Sequence, residues 1–171
     1  VLEEFRWRGM LQDATESVEE AIAGDPVPAY IGFDPTARSL HVRTLLPIMG
    51  LVHLQRHGHR PIAVVGGGTG LIGDPSGKSK ERVLLTRDEV AHNLEGIREQ
   101  LERFLDFDVE ENPARVLNNL EWLGELSFVD FLRDVGKHFS VNVLLRKESI
   151  RRRLKDEESG ISYTEFSYVL L

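Results

Sequence analysis

Short apolar runs alternate with longer stretches of helical periodicity along the chain. Residues 27–33 and 61–65 lack polar alternation and are bounded by turn residues, which predicts strands buried on both faces. Between them, the pattern predicts a helix that is capped by Ser39, bends at Pro47 and ends at Gly58. Two buried strands joined by a helix form a βαβ unit with a right-handed crossover. The predicted fold class is therefore α/β with a parallel sheet.

The same patterns predict the remaining elements. Residues 87–105 carry apolar residues at helical spacing, which leaves the charged residues facing outward. A short apolar run at 114–117 predicts a third strand. Further helices are predicted at 2–23, 127–135, 141–154 and 164–171. The last of these reaches Leu171 without a capping residue, so the chain is expected to end inside an element, as a truncated domain would.

Composition restricts the class of protein. The 171 residues, 41% of them hydrophobic, suffice for one globular domain with its own core. A net charge of −7 provides no overall attraction to nucleic acid, so an RNA partner requires a local basic patch. The absence of cysteine excludes disulfides and thiolate metal sites. The uncharged stretch at 61–73 is too short to cross a bilayer, and no targeting segment is evident, so a cytoplasmic protein without a membrane partner is expected.

The segment GGGTGLIGDPSGKS, residues 66–79, resembles two nucleotide-binding motifs. A phosphate loop requires glycine where Ile72 stands, which disfavours a Walker-type NTPase. The dinucleotide fingerprint G-x-G-x-x-G is satisfied by the glycines at 68, 70 and 73. The Asp-Pro-Ser-Gly that follows is typical of a turn, however, so the glycines are not expected to open a helix.

A third interpretation of this segment is a ligand lying close to the glycine backbone at the end of the strand. Asp74 and the cations Lys78, Lys80 and Arg82 would then project into the same site. The alternative is a solvated loop in which the basic residues have no role.

Several segments carry a resemblance to one family. The stretches YIGFDPTARSLH, GHRPI, TGLIGDPSGK, FLRDVGKHFSVN and GISYTEFSY occur in this order and resemble those of bacterial tyrosyl-tRNA synthetases. These enzymes are class I aminoacyl-tRNA synthetases with a Rossmann-like catalytic domain. The resemblance covers nearly the whole chain and implies the first half of that domain together with a helical connective insertion.

The resemblance implies a tyrosine-binding site. Tyr30 matches the tyrosine that bonds the substrate phenol, Asp74 matches the carboxylate that meets the substrate ammonium, and Tyr168 matches a further ammonium partner. Asn119 matches a site asparagine. From the residues alone, the alternative for Tyr30 is a buried strand tyrosine with a satisfied hydroxyl.

The resemblance also implies formation of tyrosyl-adenylate from tyrosine and ATP, with Mg²⁺ accompanying ATP, and then transfer to tRNA(Tyr). Lys78 and Arg82 match mobile-loop cations, and Thr36 matches a threonine at the γ-phosphate. His41 matches the first histidine of the HIGH signature. The expected contacts with ATP further include Gly32, Asp34 and Thr44. No metal ligands, and no tightly bound cofactor, are predicted.

The chain departs from the family at this signature, which here is His41-Val42-Arg43-Thr44. Glycine at the third place lets adenine approach the helix backbone, whereas Arg43 places a long side chain there. The family's KMSKS loop and second half-sheet lie beyond the position of Leu171. Two functions therefore stay open: a catalytic fragment of a tyrosine-tRNA ligase, and an impaired half-domain that acts as a ligand-binding or association module.

The predicted boundaries are a helical flank at 1–26, a Rossmann half at 27–120 and a connective segment at 121–171. The family dimerises through the region matching 127–163, so a homodimer is expected, with local core as the alternative for Phe128, Phe131 and Leu132. Basic residues at 146–147, 151–153 and 155 are candidates for contact with tRNA, although interspersed acids fit a solvated helix equally well. His53 and His57 are spaced for a shared metal, but a solvated helix face is favoured.

Overall fold

The computed structural model describes residues 1–73, 85–154 and 161–171, apart from the side chains of residues 149, 152 and 153. These residues form two compact units. The first contains Val1–Val65 and His92–Leu117, and the second contains Gly66–Ala91 and Asn118–Leu171. In the described part of the chain, no helix is both long enough and apolar enough to cross a membrane.

A three-stranded parallel sheet organises the first unit, which confirms the predicted fold class. Its strands are β1 (Pro28–Phe33), β2 (Arg60–Val65) and β3 (Arg115–Asn118), in the order β1-β2-β3. The strands β1 and β2 pair in parallel, with Tyr30 opposite Ile62. The buried residues of this unit, among them Phe33, Leu51, Val65, Ile97 and Leu101, form one hydrophobic core.

The strand β1 is not buried on both faces, which corrects the prediction. Its residues alternate, since Pro28, Tyr30 and Gly32 are exposed while Ile31 is half-buried and Phe33 is buried. Helix α3 (Leu45–Arg56) covers one face only: a Cβ added at Gly50 of this helix would lie 3.4 Å from Ile31 Cδ1. The segment 27–33 is therefore apolar throughout, although one face of the strand that it forms is exposed.

The N-terminal stretch forms two short helices, α1 (Leu2–Trp7) and α2 (Val18–Ala23), instead of the single helix predicted over 2–23. Gly9 has a φ of 67°, a conformation that favours glycine. Its N–H donates to the carbonyl of Arg6 at 3.1 Å, and the N–H of Met10 donates to that of Phe5 at 2.8 Å. This pair of hydrogen bonds is the Schellman arrangement, which ends α1.

Helix α3 begins later than predicted. A 3₁₀ turn at Val42–Thr44 precedes it, and the residue that caps this turn is His41, not Ser39. Pro47 is the third residue of α3, where its missing N–H leaves no intrahelical bond unmade, so no bend is required. Gly58, with a φ of 85°, follows the end of the helix as expected.

Helix α4 (Gly67–Ile72) consists of the glycine segment itself, which corrects the prediction that the glycines open no helix. Three of its six residues are glycine, each costing about 1 kcal/mol of helix stability relative to alanine. Gly73 ends the helix with a φ of 84°. Because intrinsic propensity opposes this helix, contacts with other elements must hold it.

Helix α5 (Arg87–Leu101) ends four residues before the predicted position and begins with a capping box. The hydroxyl of Thr86 accepts from the N–H of Glu89 at 3.2 Å, and the Glu89 carboxylate accepts from the N–H of Thr86 at 2.7 Å. The hydrogen bonds that the Glu89 carboxylate accepts from the N–H and from the hydroxyl of Thr86 hold the pKa of Glu89 below its ordinary value. The first turn of α5 is thereby fixed at its start.

The second unit contains shorter helices than the long ones predicted from the sequence. The stretch 127–135 is a turn of α7 (Phe128–Asp130) followed by a π-helical turn at Phe131–Val135. The stretch 141–154 divides into α8 (Val141–Leu144) and α9 (Glu148–Leu154). The terminal stretch is α10 (Tyr163–Ser167) with a 3₁₀ turn at Tyr168–Leu170. A short α6 (Leu120–Leu123), which the pattern did not predict, follows β3.

Candidate functional site

The open face of β1 carries three of the predicted site residues. Tyr30 is 73% exposed, Gly32 follows two residues later, and Asp34 is exposed just beyond the strand. Because side chains alternate along a strand, residues 30, 32 and 34 follow one face. A Cβ added at Gly32 would meet no atom within 4 Å, so the backbone here is open to a ligand. The alternative of a buried Tyr30 is therefore wrong.

The loop after β1 is held against α5. Asn93 donates through Nδ2 to the carbonyl of Pro35 at 2.9 Å, and Gln100 donates through Nε2 to that of Arg38 at 3.1 Å. The Gln100 side chain also accepts from the N–H of Leu40 at 3.1 Å. The Gln100 side-chain amide thus donates to one backbone carbonyl of the loop and accepts from one backbone N–H, which fixes the loop against α5.

The same loop approaches α5 closely at Gly96. A Cβ on Gly96 would lie 2.2 Å from Arg38 Cγ and 2.5 Å from the Arg38 carbonyl oxygen. Any larger residue at this position would displace the loop. Sequence reasoning missed Asn93, Gly96 and Gln100, although their spacing of three and four residues places them on one face of α5.

The ring of His41, at the end of this loop, is oriented by a hydrogen bond with the backbone. Its Nδ1 accepts a hydrogen bond from the N–H of Arg43 at 3.2 Å. A ring nitrogen that accepts carries no proton, so in the neutral imidazole the proton is on Nε2. Since His41 is exposed, this geometry offers Nε2–H as a donor to a ligand.

The neighbouring predicted residues differ in what their side chains contact. The Thr44 hydroxyl donates to the carbonyl of His41, which leaves its oxygen as an acceptor. Arg43 is exposed, and its φ is not positive, so the backbone at this position accommodates a side chain. Thr36 is exposed in the loop.

Asn119, predicted as a site residue, lies in the second unit and is directed at α4. Its Oδ1 accepts from the N–H of Gly68 at 2.7 Å, and its Nδ2 donates to Thr69 Oγ1 at 3.1 Å. The preceding Asn118 accepts through Oδ1 from the N–H of Leu120 at 3.0 Å and so caps α6. Asn118 was not identified from the sequence.

The other predicted residues are distributed as follows. Tyr168 is half-buried in the 3₁₀ turn that follows α10, in the second unit. Asp74, Lys78, Lys80 and Arg82 lie outside the described residues. The structure thus places Tyr30, Gly32 and Asp34 along one face of β1 and just beyond it, and places Thr36, His41 and Thr44 on the segment that follows, all in the first unit.

Two buried histidines lie away from this segment. His53 is only 3% exposed, and its Nδ1 is 3.9 Å from Glu4 Oε1, so its predicted position on a solvated helix face is wrong. Burial lowers the pKa of His53, and the nearby Arg8 acts in the same direction. Burial likewise lowers the pKa of His59. Among the described residues no group of three or more histidine, aspartate or glutamate side chains is arranged to hold a metal ion.

An apolar cleft with a volume of about 410 Å³ lies within the second unit. Its lining includes Leu126, Phe128, Leu132, Tyr163 and Leu171. Phe128 and Val129 are strongly exposed beside it. The predicted alternative, in which Phe128, Phe131 and Leu132 form only local core, does not hold for Phe128 or for Leu132, since both are exposed.

Of the basic residues considered as tRNA contacts, Arg146, Lys147 and Arg151 are exposed. The side chains of residues 152 and 153 are not described, and Lys155 lies outside the described residues. These three exposed cations lie close together in sequence. The described residues do not define a complete basic patch.

Comparison with known proteins gives consistent matches over the whole chain. The family described as tRNA synthetases class I (W and Y) matches residues 23–171. The tyrosine–tRNA ligase of Opitutus terrae is 57% identical and that of Roseiflexus castenholzii 54% identical, each over 100% of this chain and 40% of the relative. The chain thus spans about 40% of the length of these relatives.

Comparison with solved structures also finds tyrosyl-tRNA synthetases. A C-terminally truncated mitochondrial tyrosyl-tRNA synthetase of Coccidioides posadasii is similar with a TM-score of 0.81 and 26% identity, over 99% of this chain and 48% of that one. The corresponding Aspergillus nidulans structure has a TM-score of 0.76 at 22% identity, over 99% and 51%. The second likeness supports the Rossmann-like fold alone.

Proposed function

Because the chain belongs to the class I tRNA synthetases of the W and Y family, we propose that it is a catalytic-domain segment of a tyrosine–tRNA ligase. In this proposal it binds tyrosine and ATP for the formation of tyrosyl-adenylate. The observation that carries the proposal is the open face of β1. Tyr30 is exposed on this face, and the segment after β1 continues to His41, whose Nε2 is the proposed donor.

The tyrosine substrate is recognised by polar groups at its two ends. The hydroxyl of Tyr30 forms a hydrogen bond with the substrate phenol, and the exposed ring leaves room for that contact. Asp74 meets the substrate ammonium as an ionised acceptor, a charge-assisted pair that is stronger than a neutral one. Tyr168 is a further partner of the ammonium. A site that bonds the phenol disfavours phenylalanine, because the Tyr30 hydroxyl would then lose its partner.

The first chemical step is attack of the tyrosine carboxylate on the α-phosphate of ATP. A bond forms between a carboxylate oxygen and the α-phosphorus, and the bond from the α-phosphorus to the bridging oxygen breaks with release of pyrophosphate. The nucleophile is already ionised, so no general base is required. Catalysis comes from alignment of the two substrates and from donors that meet the charge on the phosphates.

Residues of this chain supply those donors. His41 donates through Nε2 to a phosphate oxygen, in the tautomer that its hydrogen bond from Arg43 selects. Thr36 contacts the γ-phosphate, and Lys78 and Arg82 neutralise the developing charge. The expected contacts with the rest of ATP are Gly32, Asp34 and Thr44. ATP enters as its Mg²⁺ complex, in which the phosphates themselves carry the metal.

The second step of the proposed reaction requires tRNA. Transfer of the tyrosyl group to tRNA(Tyr) in the cytoplasm completes the reaction, and the exposed Arg146, Lys147 and Arg151 are candidates for contact with the tRNA backbone. The apolar cleft and the exposed Phe128 and Val129 support a homodimer interface in the region 127–163.

The proposal is tested by tyrosine-dependent exchange of labelled pyrophosphate into ATP, measured with this chain and with Arg43→Gly. Exchange above the tyrosine-free background in either form supports adenylate chemistry. Exchange only in Arg43→Gly assigns the deficit to the altered signature. Absence of both exchange and tyrosine binding in both forms contradicts the proposal.

A further inference from the structure

The side chain of Asn119 forms hydrogen bonds within the protein. It is only 8% exposed, its Oδ1 accepts from the N–H of Gly68, and its Nδ2 donates to the hydroxyl of Thr69. At 2.7 Å and 3.1 Å both hydrogen bonds have ordinary lengths. The acceptor oxygen and one of the two N–H donors of the amide are thus already in use.

The position of Asn119 makes this use unusual. It occupies the N-cap of α6, where an asparagine side chain ordinarily accepts from the first N–H groups of its own helix. Asn119 makes no such bond, and Asn118 caps α6 in its place through the N–H of Leu120. The two consecutive asparagines therefore make different contacts. Asn118 caps α6, and Asn119 forms hydrogen bonds with α4.

The glycines of α4 allow this contact. A Cβ on Gly67 would lie 2.0 Å from Asn118 Oδ1, and a Cβ on Gly68 would lie 3.1 Å from Leu123 Cδ1. The backbone of α4 thus packs directly on the asparagine pair (Asn118 and Asn119) and on α6. Since half of the residues in α4 are glycine, these contacts supply the order that propensity does not.

We propose that Asn119 is a positioning residue that holds the first turn of α4 and does not itself contact the substrate. The inference rests on the proposed function, because Asp74, the proposed partner of the substrate ammonium, follows Gly73 directly after α4. The hydrogen bonds to the first turn hold α4, which ends at Gly73. Loss of the Asn119 hydrogen bonds therefore weakens tyrosine binding through α4.

The first test is amide hydrogen exchange, which requires no ligand. Asn119→Ala is expected to speed exchange of the α4 amides by about tenfold or more, because a buried N–H loses its acceptor. Asn119→Asp keeps an acceptor for Gly68 and can accept from the Thr69 hydroxyl, so it is expected to restore protection. The control is Asn112→Ala, since Asn112 is also 8% exposed and bonds backbone carbonyls in the first unit. This control should leave α4 exchange unchanged under conditions where both proteins are folded.

The second test is a double-mutant cycle with Thr69→Val, read by titration with L-tyrosine. A positioning role predicts weaker binding in Asn119→Ala and Thr69→Val and no additive loss in the double variant. Lost affinity in Asn119→Ala with unchanged α4 exchange would overturn the proposal in favour of direct contact. Unchanged exchange with unchanged affinity would remove any role for Asn119. If the unmodified chain does not bind tyrosine, the proposed function fails, while α4 exchange still decides whether Asn119 holds the helix.

Discussion

The ring nitrogen Nδ1 of His41 accepts a hydrogen bond from the backbone N–H of Arg43, two residues later, at 3.2 Å. This bond closes the turn that precedes α3 and selects the tautomer with its proton on Nε2. By the resemblance to tyrosyl-tRNA synthetases, the same two residues match the first and third positions of the HIGH signature, where glycine is expected in place of Arg43. The backbone of Arg43 therefore orients the His41 ring as the proposed function requires, while the Arg43 side chain stands where the resemblance leads us to expect glycine.

Replacing Arg43 should strengthen ATP binding. Arg43→Gly removes a long side chain from the surface where adenine is expected, so ATP affinity should rise by about tenfold, the scale of a relieved steric conflict. Because φ at residue 43 is not positive, Arg43→Ala should give most of the same gain. Isothermal titration with an unreactive ATP analogue measures both variants, and equal affinity in all three proteins would refute the account of Arg43.

Gly96 should tolerate no side chain. Gly96→Ala places a Cβ against Arg38, including its backbone oxygen at 2.5 Å, so the loop must move, at a cost of about 1–3 kcal/mol in the free energy of unfolding. Gly50→Ala is the control, because Gly50 also lies within a helix but its added Cβ meets only Ile31 Cδ1 at 3.4 Å. Urea denaturation should show a loss for the first and little or no loss for the second; a neutral Gly96→Ala would argue against the close contact.

Protonation of His53 should destabilise the fold in acid. Burial lowers the pKa of His53 below the ordinary value of 6.5. The unfolded chain then binds a proton that the folded chain does not, so stability falls as the pH drops through about 6.5 toward the lower folded pKa. Positive charge on Arg8, Arg56 and His57 opposes protonation and Glu4 favours it.

This pH dependence is measured by urea denaturation between pH 5 and pH 8. The variant His53→Leu should show a smaller loss of stability in acid than the unmodified chain. His92→Gln, at an exposed position on α5, serves as the control and should retain the full dependence. An identical acid dependence in His53→Leu would contradict the assignment to His53.

The sequence patterns predicted β1, β2 and α3 because local apolar periodicity reflects burial against the sheet. They failed where a distant contact decides the outcome. Glycine propensity argues against α4, yet Asn119, about 50 residues away in sequence, bonds to it. The single helix predicted over 2–23 is divided because Gly9 adopts a left-handed conformation that apolar periodicity does not register.

The candidate site shows the same division. Motif resemblance predicted Tyr30 and His41 as site residues, and these roles stay predictions. An apolar run cannot indicate which face of β1 is covered, so the burial predicted for both faces was wrong on the Tyr30 side. The residues that hold the loop after β1 were missed, since Gln100 and Leu40 are separated by 60 residues. The roles of all the proposed site residues stay predictions, and Asp74, Lys78 and Arg82 lie outside the described residues.

Self-association should depend on the exposed apolar residues beside the cleft. If the region 127–163 forms a homodimer interface, sedimentation should show a dimer at tens of micromolar, and Phe128→Asp should shift it toward monomer. Phe104→Asp is the control, because Phe104 is also exposed but lies in the first unit. A strict monomer at that concentration would count against the interface.

The most direct measurement is titration of the chain, and of Tyr30→Phe, with L-tyrosine and L-phenylalanine. The unmodified chain should prefer tyrosine, and Tyr30→Phe should weaken tyrosine binding by about 3- to 10-fold, the scale of one neutral hydrogen bond. Tyr163→Phe, at a tyrosine that is 65% exposed in the second unit, should change neither affinity. Because Tyr30 is 73% exposed, its substitution should leave stability unchanged within about 0.5 kcal/mol. Equal affinity for the two amino acids in the unmodified chain, or an unchanged preference in Tyr30→Phe, would contradict the account.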